Sequence, residues 1–102
     1  MTESKIQTAI MNLLITHPNV AWAMVTTTGK VKLKGYWTSL GFPGLSDIIG
    51  QLRDGRVLAL EVKRPGELPT AIQLEFLALV ESNGGVSGWC DSVEGVMEIL
   101  EV

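Results

Sequence analysis

The sequence predicts an α/β fold in which a mixed central β-sheet is flanked by helices. Three features predict it: helical periodicity near 3–16 and 70–82, short β-rich runs between these stretches, and two apolar runs joined by an Asp-Gly turn. At 102 residues the chain is expected to form one domain, spanning 1–102, with a modest core. The expected order of elements is α-β-β-β-β-α-β-α.

The first helix is expected to begin at a cap, Thr2 or Ser4, and to reach about Thr16 before Pro18 ends it. Its apolar residues recur with the spacing of a helix that packs on a core. Glu3 lies in the first turn, where a negative charge interacts favourably with the helix dipole. The apolar positions are Ile6, Ala9, Ile10, Leu13 and Leu14.

Two β-rich runs follow this helix, at 20–28 and 30–34. The second run alternates strictly, so Lys30, Lys32 and Lys34 are expected on one face of a strand. That face is either a solvated strand edge protected from aggregation by its lysines, or a row of phosphate contacts.

The segment 35–44 is rich in glycine and aromatic residues and is expected to form a loop. Tyr36 or Trp37 in this loop is a candidate for packing on a sugar or a base. The alternative is that the aromatic side chains belong to the core or to a dimer contact.

Residues 48–60 have the pattern of a β-hairpin, because two apolar runs flank Asp54-Gly55. Asp47 precedes the first strand and Glu61 follows the second. A hairpin places its two ends side by side, so these two carboxylates should be neighbours.

Lys63 follows Glu61 by two residues and therefore shares its face of the strand. Two carboxylates held together are unfavourable unless a cation compensates them. Mg²⁺ typically binds one or two carboxylates together with water and phosphate. A site with Asp47, Glu61 and Lys63 at one end of a sheet is suited to metal-assisted cleavage of a phosphodiester. The alternative is an ordinary ion-pair network in a structural domain.

The next helix is expected to begin at Thr70, with Gln73 completing a capping box. The capping box is a structural role for both residues and is sufficient for Thr70, whereas Gln73 could also reach a phosphate or its water. The core stripe of this helix is expected at Ile72, Phe76, Leu79 and Val80, followed by a short strand and a final helix.

These motifs occur in an order that resembles a small stand-alone VRR-NUC domain, of the phage type, in the PD-(D/E)xK nuclease superfamily. The resemblance covers nearly the whole chain, although Ser46 stands where the superfamily name has proline. The residues that carry it are Gly44 and Asp47, then Glu61-Val62-Lys63, then Thr70 and Gln73, preceded by a helix with Glu3.

The resemblance implies a site for Mg²⁺ or Mn²⁺ formed by Asp47, Glu61 and the backbone carbonyl of Val62. It implies that Lys63 orients or deprotonates the attacking water. Glu3 is then either a residue near the metal or only a favourable charge at the helix start. Gln73 is expected to position water beside the metal.

The function implied by the resemblance is hydrolysis of DNA, branched or duplex, by a homodimeric endonuclease of repair or recombination that selects branched or Holliday-junction-like structures. A general nicking or flap nuclease and a non-catalytic DNA-binding accessory domain remain alternatives. No small-molecule cofactor is expected. The expected DNA contacts are Lys30, Lys32, Lys34, Tyr36 and Arg64.

The charge of the chain is unevenly distributed. The net charge of −3 argues against strong non-specific DNA binding by the whole surface. Residues 1–45, however, carry four lysines against one acidic residue, a net charge of +3, and the remainder is acidic. A contact with DNA is therefore expected to depend on a local group of lysines.

No apolar run approaches the ~20 residues that span a bilayer, and the N-terminus lacks the apolar run of a signal peptide. Cys90 is the single cysteine and cannot form an intrachain disulfide. We therefore expect a cytoplasmic protein without a membrane partner, in which Cys90 is a small buried apolar residue.

Overall fold

The computed structural model of the protein describes residues 2–26, 30–33, 36–39 and 43–101, with only the backbone described at 30–33 and 36–39. Within these residues no helix is long and apolar enough to cross a membrane. The elements of the described chain are α1 (Glu3–Thr16), β1 (Val20–Val25), β2 (Lys30–Leu33), β3 (Tyr36–Ser39), β4 (Ile48–Leu52), β5 (Val57–Val62), α2 (Ala71–Ser82), β6 (Val86–Cys90) and α3 (Val93–Ile99).

A mixed four-stranded sheet with the order β1-β4-β5-β6 forms the centre of the fold. β4 pairs antiparallel with both β1 and β5, and β5 pairs parallel with β6. The parallel pair requires a crossover, which α2 provides. The predicted α/β class with a mixed sheet and flanking helices is therefore confirmed.

The expected number of strands before α2 is wrong. The segment Tyr36–Ser39, predicted as part of a loop, forms β3 and pairs antiparallel with β2 in a separate two-stranded sheet. Aromatic and β-branched residues fit a pleated strand well, and this preference outweighs the surrounding glycines. Lys34, one of the expected DNA contacts, lies outside the described residues.

The core lies between the sheet and α1, with α3 beside it. Thr2 caps α1 by accepting a hydrogen bond from the Lys5 backbone N–H, as predicted. The buried positions of the helix follow the predicted stripe and contact apolar side chains of the central strands. The principal core residues are Ile6, Ile10, Leu14, Ile48, Leu52, Leu58, Leu60 and Val62.

α2 packs on β5 and β6, but its predicted core stripe is wrong at two of four positions, since only Phe76 and Val80 are half-buried. Leu77 is the buried residue of this helix, whereas Ile72 and Leu79 are about half exposed, at 53% and 49%. Apolar residues occur almost all round α2, so their periodicity does not select one face. The helix lies close to the sheet where the Ser87 hydroxyl donates to the Leu77 carbonyl at 2.6 Å.

Candidate active site at the end of the hairpin

The β4–β5 hairpin fixes the position of the two predicted carboxylates. Its turn closes where the Gly55 N–H donates to the Leu52 carbonyl at 2.9 Å, with Gly55 at φ +98°. A positive φ of this kind favours glycine. The strand register pairs Ile48 with Leu60. Continued by one residue, the same register places Asp47 opposite Glu61, with both side chains on the same face.

The carboxylate of Asp47 is held against the end of β5. Its Oδ2 accepts a hydrogen bond from the Val62 N–H at 2.9 Å, and Val62 lies two residues beyond Leu60 in the last backbone pair of the hairpin. The N–H and C=O of a strand residue point to the same side, so the Val62 carbonyl lies on the Asp47 side of β5. The two carboxylates and this carbonyl therefore lie at the same end of the hairpin.

Glu61 is almost completely buried, with 2% of its surface exposed. Its Oε1 accepts a hydrogen bond from Gln73 Nε2 at 3.2 Å. Its Oε2 is buried and has no hydrogen-bond donor in the part of the chain that the structure describes. A buried carboxylate oxygen without a partner is energetically costly, so this atom is the exceptional feature of the site.

The surroundings of Glu61 raise the pKa of its carboxyl group from 4.5 to about 8. Burial is the largest cause, followed by a side-chain hydrogen bond with Asp47 and then by the negative charge of Asp47. The positive charge of Lys63 opposes this rise in the pKa, and the charge of Glu3 adds to it. Three of the predicted site residues therefore act electrostatically on Glu61.

Gln73 completes the predicted capping box and also contacts Glu61, whereas its predicted role in positioning water remains a prediction. Its side-chain Oε1 accepts from the Thr70 backbone N–H at 2.9 Å. Its backbone N–H donates to the Thr70 hydroxyl at 3.3 Å, which completes the capping box. Its amide nitrogen remains available and donates to Glu61. The cap therefore fixes the side chain that orients the buried carboxylate.

The first turn of α2 is also held against the loop that precedes Asp47. Gly44 has φ +76°, and a Cβ at this position would lie 2.4 Å from the Ile72 carbonyl oxygen. This distance is too short for any side chain without a backbone shift. The loop before Asp47 and the helix that carries Gln73 are therefore in direct contact.

The structure separates the remaining candidates. Lys63 is half-buried, and its backbone N–H donates to the Cys90 carbonyl at 2.9 Å. Arg64 is exposed and forms a salt bridge with Glu67, so a phosphate would compete with that carboxylate. The backbones of Lys30, Lys32 and Tyr36 belong to the β2–β3 pair, and their role as DNA contacts remains a prediction.

No protein-family model, curated protein or solved structure matches this chain. The interpretation of the site therefore depends on its own geometry and on the motifs.

The donor set is suited to a small hard cation. It combines two adjacent carboxylates, one of which has an unpartnered buried oxygen, with a backbone carbonyl on the same side. Among the described residues, no three His, Cys, Asp or Glu side chains gather as a ligand group. Glu3 therefore influences the site by its charge and is not placed as a third carboxylate ligand.

Sequence reasoning missed the residues that hold the backbone of Asp47. The Thr26 N–H donates to the Asp47 carbonyl at 2.8 Å, and the Thr26 hydroxyl donates to the Ser46 carbonyl at 2.6 Å. Ser46 is fully buried, and its hydroxyl donates to the Ile48 carbonyl at 3.0 Å. Thr26 begins a run of three threonines, so no local pattern distinguishes it.

Proposed function

We propose that this protein is a Mg²⁺- or Mn²⁺-dependent endodeoxyribonuclease with a VRR-NUC-type site on a PD-(D/E)xK core. The observation that carries the proposal is the buried Oε2 of Glu61, which has no donor among the described residues and belongs to a carboxylate beside Asp47. A divalent cation would replace the proton that the raised pKa keeps on Glu61, compensate the charge of both carboxylates and provide a partner for that oxygen.

Asp47, Glu61 and the Val62 carbonyl are the groups that would hold the cation. When bound, the cation polarises the phosphodiester and lowers the pKa of a coordinated water. Gln73 holds the Glu61 carboxylate through Oε1, which leaves Oε2 for the cation. Lys63 carries the positive charge near this carboxylate and would stabilise the phosphate and orient the attacking water.

The proposed reaction is hydrolysis with in-line attack. The oxygen of water forms a bond to phosphorus while one P–O ester bond breaks. The products are one phosphomonoester end and one hydroxyl end. The proton of the attacking water passes to solvent, and the leaving oxygen takes a proton from solvent. No small-molecule cofactor takes part.

Branched DNA and a homodimer are the proposed substrate and assembly, because a two-fold dimer carries two sites that can make paired incisions. Trp22 and Met24 support a dimer contact, since both are large, apolar and about half exposed on β1. Cytoplasmic location and a role in DNA repair or recombination belong to the same proposal. A nicking or flap nuclease would use the same site.

One observation favours a non-catalytic DNA-binding domain as the second candidate. Within the described residues the site gathers two carboxylates and no third His, Cys, Asp or Glu ligand. A domain that had lost catalysis could keep the pair as a structural remnant. Titration of the protein with Mn²⁺ by calorimetry separates the candidates, because the nuclease requires a bound cation.

The deciding experiment measures cleavage of linear, flapped and four-way DNA with Mg²⁺ or Mn²⁺. We expect cleavage by the wild type and its loss in Asp47→Ala and Lys63→Ala, with the fold intact by circular dichroism. Asp54→Ala is the matched control, because Asp54 lies at the opposite end of the same hairpin. A folded double variant, Asp47→Ala with Lys63→Ala, that cleaves as the wild type does would refute the proposal.

A further inference from the structure

The backbone of Asp47 is held by hydrogen bonds from Thr26, which lies just beyond the end of β1. The β1–β4 ladder ends where Val25 pairs with Ile48. The Thr26 N–H extends the ladder by one bond to the Asp47 carbonyl, at 2.8 Å. Its hydroxyl reaches the Ser46 carbonyl at 2.6 Å and the Asp47 carbonyl at 3.2 Å. One residue therefore holds two successive peptide groups.

Ser46 adds a hydrogen bond within this segment. Its side chain is fully buried and its hydroxyl donates to the Ile48 carbonyl at 3.0 Å. The carbonyls of residues 46, 47 and 48 all receive a donor from Thr26 or Ser46. The backbone of Asp47 therefore has little freedom where β4 begins.

A restrained backbone matters here because a metal ligand must be held within about 0.5 Å of its productive position. The Asp47 carboxylate accepts a hydrogen bond from the Val62 N–H through Oδ2. That contact holds one of its two oxygens, while the backbone sets where the side chain begins. A residue that fixes the backbone of Asp47 therefore helps to set the position of its carboxylate relative to Glu61.

We propose that Thr26 is a positioning residue, which aligns Asp47 with Glu61 for cation binding through its hydroxyl bond to the Ser46 carbonyl. This inference rests on the proposed function. Thr26→Val retains the size and branching of the side chain but removes the donor, whereas Thr26→Ser retains the donor. Outer partners of metal ligands typically change metal affinity by about 10–100-fold when they are removed.

The test measures two quantities in the same variants. Calorimetry gives the Mn²⁺ affinity, and amide exchange by NMR gives the protection of the Val62 N–H in metal-free protein. We expect Thr26→Val to bind Mn²⁺ about 10–100-fold more weakly. It should also exchange the Val62 amide faster, while the Leu58 and Leu60 amides stay protected. Thr26→Ser should behave as the wild type does.

Thr16→Val is the matched control, because the Thr16 hydroxyl also donates to backbone carbonyls, at 3.2 Å and 3.4 Å, but at the C-terminal end of α1. Equal Mn²⁺ affinity and Val62 protection in Thr26→Val and wild type would overturn the inference, even if the melting temperature falls. If Thr26→Val does not fold, Thr26→Ala against Thr26→Ser decides in the same way. A wild type that binds no Mn²⁺ would instead refute the proposed function.

Discussion

The two ends of the β4–β5 hairpin each carry an acidic residue in opposite circumstances. At the turn, Asp54 is exposed and accepts hydrogen bonds from the Arg56 N–H at 3.1 Å and from Arg56 Nε at 2.8 Å. These bonds, with the backbone N–H first, lower the pKa of Asp54 below 3.8. At the open end, Glu61 is buried beside Asp47, and its pKa rises to about 8.

The negative charge of Asp54 is compensated by a neighbouring residue, whereas the surroundings of Glu61 disfavour its negative charge. Arg56 supplies a full positive charge to Asp54 within 2.8 Å. Glu61 receives one amide donor and a nearby lysine charge, which do not offset its burial and the charge of Asp47. An unfavourable electrostatic arrangement therefore occurs at one end of the hairpin only, and such arrangements are common at binding sites.

The largest effect is expected when the acidic residue at each end of the hairpin is replaced in turn by its neutral amide. Glu61→Gln should weaken Mn²⁺ binding by more than about 100-fold, because loss of an outer partner alone costs about 10–100-fold. Asp54→Asn should leave the Mn²⁺ affinity unchanged. Calorimetry at pH 8.5 measures both, and similar affinities in the two variants would show that the cation does not bind at Glu61.

The pH dependence of stability should sharpen the comparison in metal-free protein. Glu61 has a higher pKa folded than unfolded, so the folded state retains a proton that the unfolded state loses between pH 4.5 and about 8. The free energy of unfolding should fall across that window, with a slope approaching about 1.4 kcal/mol per pH unit.

Urea denaturation in the presence of EDTA measures this slope. Glu61→Gln should flatten it, whereas Asp54→Asn should leave it in place. The lowered pKa of Asp54 has the opposite sign, because its stabilisation is present above pH 3.8 and is lost as the pH falls further. A wild type whose stability rises from pH 5 to pH 8 would contradict the raised pKa of Glu61.

The smallest expected effects separate the two roles of Gln73. Thr70→Ala removes the side-chain cap of α2 and should cost about 1 kcal/mol of stability without changing the Mn²⁺ affinity. Gln73→Ala should cost a similar amount and also weaken Mn²⁺ binding by about tenfold, since it frees Glu61. Equal Mn²⁺ affinities in the two variants would limit Gln73 to the capping box.

The parts of the fold that follow from local patterns were predictable from the sequence. Thr2 as the cap of α1, the turn around Gly55 and the capping box at Thr70 all depend on residues a few positions apart. The meeting of Asp47 and Glu61 follows from hairpin geometry alone, so it was also predictable.

The parts that depend on distant packing were not predictable. The exposed face of α2 depends on where the helix crosses β5 and β6, and its apolar residues do not define one side. The hydrogen bond from the Thr26 hydroxyl to the Ser46 carbonyl joins segments twenty residues apart. No charged residue or regular spacing in the sequence indicates this contact. The double use of Gln73 likewise requires that α2 begin beside the end of β5.

The contact at Gly44 has a consequence for the divergence of this protein in evolution. Because a Cβ there would lie 2.4 Å from the Ile72 oxygen, even alanine would force apart the two segments that deliver Asp47 and Gln73. Homologous chains can differ widely on the outer surface of α2, because the side chains there are exposed. At position 44 we expect glycine in every homologue. This glycine should identify distant homologues more reliably than the charged residues of the chain do.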